Sequence, residues 1–386
     1  MSGRVALVHA PAFLTCALPA EHPMNPRRLH LTIDLLEDLR LFSPSEVLAP
    51  RPATLDELRL VHGQGYLDLV RRSSKAGRPV DGADLFGLGS EDNPVYPGLH
   101  ETASLIVGGA VAAAEQIMAG ELDHAFHPAG GLHHAHRSRA SGFCVYNDAA
   151  VAIAVLENRF EARVAYVDLD AHHGDGVQFA FYDDPDVLTV SFHETGRFLF
   201  PGSGEVLERG VNDGYGYAVN VPLEPFTDDE SFLEVFHQVV PPLLRAFRPE
   251  FLVTQHGCDG HHLDVMSDLA FTTRAYAEAT ALLHTLAHEL CGGRWLALGG
   301  GGYDAWRVVP RVWALQWAAL ADRPQPPDAL LPVSWRERWQ SEAPCPLPEQ
   351  LWDRPADAPF PARRPAIAEK NRLTAHAAIA GSFLNR

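Results

Sequence analysis

The pattern of hydrophobic and polar positions predicts alternating strands and helices over the first 320 residues. Short apolar runs, typical of strands buried on both faces, occur at 4–9, 123–127, 163–167, 187–192, 219–222, 251–254 and 295–298. Apolar residues at helical spacing predict helices after Pro26, near 54–57, around Tyr66, and at 101–119, 143–157, 177–182, 231–247, 272–290 and 305–320. This alternation predicts an α/β domain with a mostly parallel central sheet.

Prolines and glycines interrupt the pattern. Pro241 and Pro242 are expected to break the helix at 231–247, because proline lacks a backbone N–H. The segment 77–99 is a predicted loop whose polar turn, 91–94, could reach over a site. Beyond the domain at 1–320, prolines are dense and periodicity fades. A Pro-rich extension at 321–386 is therefore expected to wrap the domain as loops or to be partly disordered.

Two arginines, Arg27 and Arg28, stand at the start of the helix after Pro26. Cations are disfavoured at that end of a helix dipole. Either both are solvated, or at least one has a partner or a task.

The composition, 46% hydrophobic and 21% charged, is typical of a globular enzyme. No apolar run reaches 18 residues, so no membrane span is predicted, and the N-terminus shows no cleavable signal peptide. The cysteines are scattered, which favours a reducing cytoplasm over a disulfide framework or a thiolate zinc site. They are Cys16, Cys144, Cys258, Cys291 and Cys345.

The formal net charge of −18 argues against direct nucleic-acid binding, which needs a basic face. Such a charge suits a cationic substrate, but it is also common in proteins that bind nothing charged. The twenty histidines are more informative, because several cluster.

Polar residues are dense after the strand at 163–167, where Asp168, Asp170, His172, His173 and Asp175 follow within eight residues. Side chains two apart on a strand point the same way, so Asp168, Asp170 and His172 are expected on one face at the ligand-binding end of the sheet. Carboxylates this close repel one another unless a cation or an imidazolium lies among them. We interpret the segment as a metal site rather than a solvated acidic turn.

Asp259, which follows another predicted strand, completes a candidate ligand set with Asp170 and His172. Three protein ligands leave positions for water and substrate, as in catalytic metal sites. One imidazole and two carboxylates suit Zn²⁺, and Fe²⁺, Co²⁺ and Mn²⁺ remain open.

Water activated by a metal needs a base, and His133 and His134 are the candidates. Asp168 and Asp175 are the spare carboxylates that could fix their tautomers. Tyr303, on the glycine-rich loop 299–302, could donate to the oxyanion of a tetrahedral intermediate.

These residues resemble the motifs of the zinc-dependent histone deacetylase superfamily. The matching segments are 133–134, 141–148, 167–176, 200–204 and 299–303, in the family's order. Within the superfamily they are most similar to the bacterial acetoin-utilisation deacetylases, whose motifs are class I-like. The resemblance covers roughly residues 4–320 and implies a single arginase-like three-layer α/β/α domain. It also implies hydrolysis of N-acetyl-lysine to lysine and acetate.

The resemblance assigns roles residue by residue. His134, paired with Asp175, would be the general base and acid. His133, paired with Asp168, would be its electrostatic neighbour, and Tyr303 would polarise the acetyl carbonyl. Zn²⁺ would be bound by Asp170, His172 and Asp259.

The resemblance also implies substrate contacts and two structural K⁺ ions. Phe143 and Phe200 would form the walls of an acetyl-lysine tunnel, and Asp92 would hold the substrate backbone at the rim. Arg28 would lie beside an internal acetate-release cavity. Further substrate-binding positions would be Gly142, Met266 and Gly301. One K⁺ would bind Asp168, Asp170, His172, Ser191 and Phe192, and the other would bind near Phe181, Asp184, Val187 and Tyr217.

The chain departs from the family at 256–258, where His-Gly-Cys precedes the ligand Asp259, and in the polar segment 261–266. Polyamine-selective relatives have an acidic gatekeeper where Met266 falls. Its absence favours acetyl-lysine in a protein, such as a metabolic acyl-CoA synthetase, over an acetylpolyamine or another small amide.

Three other functional classes fit the sequence less well. A two-manganese ureohydrolase needs more bridging carboxylates and gives Tyr303 no role. A binding protein with an inactive site is expected to lack a ligand, His134 or Tyr303, and all are present. The glycines at 299–302 do not have the spacing of a dinucleotide-binding loop.

Overall fold

In the part of the chain that the computed structural model describes, eight strands form one central sheet, and every neighbouring pair is parallel. The strands are β1 (Val5–Val8), β2 (Val47–Leu48), β3 (His124–His127), β4 (Val164–Asp168), β5 (Val187–Glu194), β6 (Ala218–Leu223), β7 (Phe251–Gln255) and β8 (Trp295–Leu298). Their order across the sheet is β2-β1-β3-β8-β7-β4-β5-β6. The predicted parallel sheet is confirmed. Only β2 was not predicted, because two residues carry no periodicity.

The structure describes residues 3–15, 17–19 and 21–385. Residues 1, 2, 16, 20 and 386 lie outside the described part. They include Cys16, the start of the N-terminal segment for which no signal peptide was predicted, and the last residue of the predicted extension. The four described cysteines are free. None of the described helices is long and apolar enough to cross a membrane.

Eleven α-helices among the described residues surround the sheet. They are α1 (Arg27–Asp38), α2 (Leu55–Arg59), α3 (Gln64–Ala76), α4 (Leu99–Met118), α5 (Asp148–Phe160), α6 (Asp175–Ala180), α7 (Asp229–Phe247), α8 (Thr273–Cys291), α9 (Val309–Leu320), α10 (Val333–Gln340) and α11 (Arg364–Ala380).

Helices cover both faces of the sheet and make three layers. Successive strand residues point to opposite faces. Leu7 and Val167 therefore pack in one core with α1, α7, α8 and α9, whereas Val8 and Tyr166 pack in a second core with α3, α4 and α5. Because both faces are buried, the strands are mostly apolar, as the sequence pattern indicated.

The helix predicted at 143–157 begins later, at Asp148, so its predicted start was wrong. Asn147 caps the helix by accepting the N–H of Ala150 at 2.9 Å. Phe143 has a φ of 67°, in the left-handed region, which is incompatible with a helix. The preceding segment therefore remains irregular.

The predicted break at Pro241 and Pro242 is also wrong, because α7 continues through both residues. Each proline removes a backbone donor. Val239, Val240 and Pro241 are nevertheless buried in the core, and packing of an apolar helix face outweighs local propensity.

The extension after residue 320 contains two helices where loops were predicted. Trp335 and Trp339 of α10 are buried against α1, and the indole of Trp335 donates to the carbonyl of Leu31 at 3.0 Å. In α11 only a narrow face is buried, formed by Ile367, Asn371, Ala375 and Ala378. One apolar or small residue per turn is too sparse to reveal a helix in a Pro-rich sequence. The domain boundary at residue 320 stays a prediction.

Candidate active site

Four adjacent strands in the middle of the sheet, β3, β8, β7 and β4, end beside one another. The segments that follow them carry the histidines at 133–134, the glycine loop 299–302, Asp259 and the acidic segment 168–175. Carboxyl ends of parallel strands share one edge, which is the ligand-binding edge of α/β sheets. The structure thus brings together polar residues that are up to 170 positions apart, from His133 to Tyr303.

The expected alternation of Asp168, Asp170 and His172 along one strand is wrong, because β4 ends at Asp168. The following residues form a loop. Asp168 faces His133, with Oδ2 2.8 Å from Nδ1, whereas Asp170 and His172 face Asp259.

Asp170, His172 and Asp259 bring three possible ligand atoms together. Nδ1 of His172 lies 3.0 Å from Asp170 Oδ1 and 2.9 Å from Asp259 Oδ2. Backbone amides hold the other carboxylate oxygens. The N–H of Gly301 donates to Asp170 Oδ2 and that of Ala171 donates to Asp259 Oδ1, each at 2.8 Å.

The electrostatics of this triad suit a divalent cation. Burial disfavours a charged His172, but Asp259 and Asp170 outweigh burial and raise its pKa to about 10. Burial and the nearby Asp170 raise the pKa of Asp259 to about 7. The two buried carboxylates thus require positive charge beside them. One imidazole and two carboxylates are a ligand set for Zn²⁺ and similar ions, so the residues present fit a metal.

Each of the two neighbouring histidines has its own carboxylate. Nδ1 of His133 lies 2.8 Å from Asp168 Oδ2, and Nδ1 of His134 lies 2.7 Å from Asp175 Oδ1. The two Nε2 atoms are 3.0 Å apart. His136 makes a further contact with Asp175, at 3.2 Å from Oδ2. The pairings expected from the sequence are therefore present in the structure.

The two histidines have opposite pKa shifts. Burial and the neighbouring His133 lower the pKa of His134 to about 4, although Asp175 opposes this. Burial also disfavours charge on His133, but Asp168 and Asp170 outweigh it and raise its pKa to about 9. At neutral pH, His134 therefore carries its proton on Nδ1, towards Asp175, and has a lone pair on Nε2.

Tyr303 lies at the same edge of the sheet, and its ring centroid is 6.4 Å from that of His172. Its backbone N–H donates to Asp264 Oδ2 at 2.7 Å. Burial and the nearby carboxylates of Asp259 and Asp170 raise the pKa of its hydroxyl well above the usual value. The hydroxyl therefore stays protonated and can donate a hydrogen bond.

Two aromatic rings flank these polar residues. Phe200 packs edge-on against His134, with ring centroids 5.0 Å apart. It is 47% exposed, so it lies where the site meets solvent. Phe143 packs edge-on against Tyr303 at 5.8 Å. Gly142 has a φ of 49°, and an added Cβ would lie 2.4 Å from His134 Cδ2 and 2.9 Å from Phe200 Cε1. Only glycine fits at this position without displacing His134.

The polar turn of the long loop lies beside Phe143. The carbonyl of Asp92 accepts a hydrogen bond from Nε2 of His22 at 3.1 Å, and the ring of His22 packs edge-on against Phe143 at 5.0 Å. Asp92 itself is exposed. A cavity next to it is lined by Asp92, His22, Phe143 and Arg28, among other residues.

Of the two alternatives left open for Arg27 and Arg28, the structure shows that Arg28 has partners and is not solvated. It is 3% exposed, and its Nη1 donates to the carbonyls of Gly300 at 2.6 Å and Gly302 at 3.3 Å. Its guanidinium lies 5.2 Å from the ring of Trp313. Arg28 therefore braces the glycine loop that leads to Tyr303.

Met266 is linked to Tyr303 through Asp264. The N–H of Met266 donates to Asp264 Oδ1 at 3.2 Å, while Asp264 Oδ2 accepts the N–H of Tyr303. Hydrogen bonds from backbone N–H groups to the Asp264 carboxylate thus join the segment 261–266 to the end of the glycine loop.

The residues expected around K⁺ occupy neighbouring elements. In the first set, Asp168 pairs with Ser191 in the register of β4 and β5, and Ser191 Oγ lies 2.8 Å from His193 Nδ1. In the second set, the carbonyl of Phe181 accepts the N–H of Asp184 at 3.1 Å, and Val187 begins β5. Tyr217 directly precedes β6.

Two site residues were missed in the sequence. Gln255, the last residue of β7, donates to Asp170 Oδ2 at 2.6 Å. Tyr166, within β4, donates its hydroxyl to Asp168 Oδ2 at 2.6 Å. The available signal was the same for both: a hydrogen-bonding side chain in an otherwise apolar strand needs a buried partner.

Comparisons with known proteins indicate one family. The model of the histone deacetylase domain matches residues 22–320. The chain is 46% identical over 374 residues to the acetoin utilization protein AcuC of Bacillus subtilis, covering 96% of each chain. It is 41% identical over 371 residues to the protein of the same name from Staphylococcus xylosus, again covering 96% of each.

Solved structures give the same result. A crystal structure of an HDAC homolog complexed with SAHA superposes with a TM-score of 0.86 at 31% identity, covering 97% of this chain and 100% of the other. An HDAC homolog from Aquifex aeolicus superposes with a TM-score of 0.83 at 31% identity, covering 95% and 99%.

Proposed function

The chain belongs to the histone deacetylase family, and from this premise we propose that it removes acetyl groups from N-acetyl-lysine side chains of proteins, releasing acetate. One observation carries the proposal. Two carboxylate–histidine pairs, His133 with Asp168 and His134 with Asp175, stand beside the Asp170–His172–Asp259 triad (the metal triad).

The proposed metal is Zn²⁺, with Asp170, His172 and Asp259 as its ligands. A divalent ion bound there supplies Lewis acidity, which polarises an amide carbonyl and activates water. Fe²⁺, Co²⁺ and Mn²⁺ have compatible ligand preferences, and metal analysis of the purified protein distinguishes them.

His134 is the proposed general base and acid. Asp175 holds its Nδ1–H at 2.7 Å, so the lone pair is on Nε2, where it can accept a proton from water and return it to the leaving amine. His133, whose raised pKa keeps it positively charged, lies 3.0 Å away and stabilises negative charge that develops beside it.

Tyr303 is the proposed donor to the oxyanion. Its hydroxyl remains protonated because burial and two carboxylates raise its pKa. The hydrogen bond from its backbone N–H to Asp264 fixes the residue, and its side chain would face the acetyl carbonyl of the substrate.

The methylene chain of an acyl-lysine is apolar, so aromatic rings are suitable walls for its binding site. Phe143 and Phe200 would flank this chain, with Gly142 allowing close approach and Asp92 binding the substrate backbone at the rim. The acetate product would leave through the cavity lined by Arg28.

A protein substrate is preferred over an acetylpolyamine because Met266 has no charge to attract a second amine. A metabolic enzyme such as an acyl-CoA synthetase is the proposed partner, in line with the acetoin-utilisation names of the relatives. The net charge of −18 argues against nucleic acid as a partner. The cytoplasm is the proposed location.

Two K⁺ ions are proposed as structural cofactors. The first would bind the Ser191 hydroxyl and backbone oxygens of Asp168, Asp170, His172 and Phe192. The second would bind near Phe181, Asp184, Val187 and Tyr217. The first set shares Asp170 and His172 with the metal triad. Backbone carbonyl oxygens are hard ligands that suit such cations, and both points support the proposal.

The test is hydrolysis of an acetyl-lysine peptide by the purified protein, before and after chelation and after Zn²⁺ is restored. N-acetylputrescine and arginine are run in parallel. We expect peptide turnover that chelation abolishes and Zn²⁺ restores, and no turnover by His134→Ala. Faster turnover of N-acetylputrescine would move the assignment to small amides, and turnover of arginine alone would replace it with ureohydrolysis. Fully metallated protein that hydrolyses none of the three would refute the proposal.

A further inference from the structure

Three histidines from two elements meet at the sheet edge opposite the candidate active site. His124 is the first residue of β3, and His284 and His288 lie one turn apart on α8. Their Nε2 atoms are 3.1 Å apart for His124 and His284, 3.1 Å for His124 and His288, and 3.0 Å for His284 and His288. We call these residues the histidine triad. It shares no residue with the metal triad.

The spacing of the three nitrogens suits ligands of one ion. Zinc–nitrogen bonds are about 2.0–2.1 Å long, so two imidazole ligands in a tetrahedral site are about 3.3 Å apart. The three Nε2 atoms need only small movements to reach that spacing. An ion about 1 Å out of their plane would lie about 2 Å from each of them.

Hydrogen bonding alone does not account for this arrangement. A ring nitrogen of histidine carries either a proton or a lone pair, whatever the charge of the ring. Among three nitrogens in mutual contact, at least two are therefore alike, so at least one contact joins two donors or two acceptors. A cation that accepts all three lone pairs removes this conflict.

The surroundings hold the rings and leave one side accessible. The indole of Trp295 packs against two of them, with ring centroids 5.6 Å from His124 and 5.7 Å from His284. His124 is buried, whereas His288 is exposed. Asp322 Oδ1 lies 3.8 Å from His284 Nδ1, where a carboxylate can orient a ligating imidazole. A surface pocket beside the triad is lined by His284, Thr285, His288 and Asp322.

We propose that His124, His284 and His288 form a second binding site for a divalent transition-metal ion, with Zn²⁺ as the representative case. Imidazole ligands suit Zn²⁺, Cu²⁺ and Ni²⁺, whereas Mg²⁺ and Ca²⁺ prefer oxygen. The fourth position faces the pocket and is open to water. The ion joins β3 to α8, so its binding stabilises the folded chain.

The test compares metal stoichiometry between variants of the full-length protein. Each protein is dialysed to equilibrium against Zn²⁺, and bound metal per chain is measured by elemental mass spectrometry. The double variant His284→Gln/His288→Gln is expected to bind one equivalent fewer than the wild type. His237→Gln, which removes another exposed helical histidine, is the matched control and is expected to bind as the wild type does.

The single variant His288→Gln covers the case in which the double variant does not fold. Its exposed side chain can be replaced without loss of structure, and we expect the second equivalent to bind at least tenfold more weakly while the circular dichroism spectrum is unchanged. Equal stoichiometry and affinity in these variants and the wild type, or an equal loss in His237→Gln, would overturn the proposal. Because only a difference between variants is measured, the result does not depend on whether the metal triad binds Zn²⁺ or on the deacetylase proposal.

Discussion

The side-chain amide of Gln255 donates a hydrogen bond of 2.6 Å to Oδ2 of Asp170. The other end of the amide, Oε1, accepts the N–H of Gly257 at 2.7 Å, which fixes its orientation. Gln255 is therefore a positioning residue for a proposed metal ligand, because it holds the oxygen of Asp170 that does not face His172.

Replacing Gln255 with leucine is expected to weaken metal binding about 10- to 100-fold, the usual effect of losing a partner of a metal ligand. Chelator competition measures the affinity. Gln316→Leu is the control, since Gln316 is a buried glutamine whose side-chain atoms have no partner among the described residues. If Gln255→Leu binds metal as the wild type does, the positioning role is refuted.

Removing the hydroxyl of Tyr303 is expected to lower kcat on an acetyl-lysine peptide about 10²- to 10³-fold, with KM little changed, because the oxyanion loses a donor. Steady-state kinetics of Tyr303→Phe measure both constants. Tyr182→Phe removes a hydroxyl from the loop after α6 and should keep full activity. A change confined to KM would show that Tyr303 only binds substrate.

A methyl group at Gly301 is expected to abolish metal binding. An added Cβ would lie 2.1 Å from Asp259 Oδ2 and 2.8 Å from Asp170 Oδ2, so Gly301→Ala forces both carboxylates to move. Gly65→Ala is the matched control, because nothing lies within 4 Å of its added Cβ on α3. Metal content and thermal unfolding are measured for both, and an unaltered metal content in Gly301→Ala would contradict the close packing described above.

Folding stability is expected to fall below neutral pH through His62. Its Nε2 accepts the N–H of Asn147 and its Nδ1 lies 3.1 Å from the carbonyl of His136, so the neutral ring satisfies both contacts. Burial lowers its pKa from 6.5 to about 4. Between pH 6.5 and about pH 4 the unfolded chain binds more protons than the folded one, so folding stability is lost as the pH falls.

The contribution of His62 amounts to about 2 kcal/mol between pH 7 and pH 5. Urea unfolding at both pH values measures it as the difference between the wild type and His62→Gln, whose amide can replace both contacts. The wild type should lose more stability than the variant on acidification. Equal losses would assign the pH dependence to other buried groups.

The sequence was a better guide to which residues form the candidate site than to the backbone geometry that arranges them. Asp170, His172 and Asp259 were expected together because parallel strands end at one edge, and topology alone decides this. The end of β4 at Asp168 was missed, because loop geometry depends on partners such as Gln255 that lie far along the chain.

The histidine triad shows the same limit more clearly. His284 and His288 have helical spacing in the sequence, but His124 lies 160 residues away from His284. The packing of α8 against the start of β3 brings them together, and no local pattern encodes that contact.

The two carboxylate oxygens of Asp264 accept hydrogen bonds from different residues, Oδ1 from the N–H of Met266 and Oδ2 from the N–H of Tyr303. Residue 266 contacts Asp264 through its backbone N–H, so this hydrogen bond can be kept when the side chain of residue 266 is exchanged. Asp264 itself cannot be exchanged in this way, because its side chain accepts both hydrogen bonds. If residue 266 selects the substrate as proposed, evolution or a protein engineer can change that selection by a single substitution while the backbone hydrogen bond to Asp264 is retained.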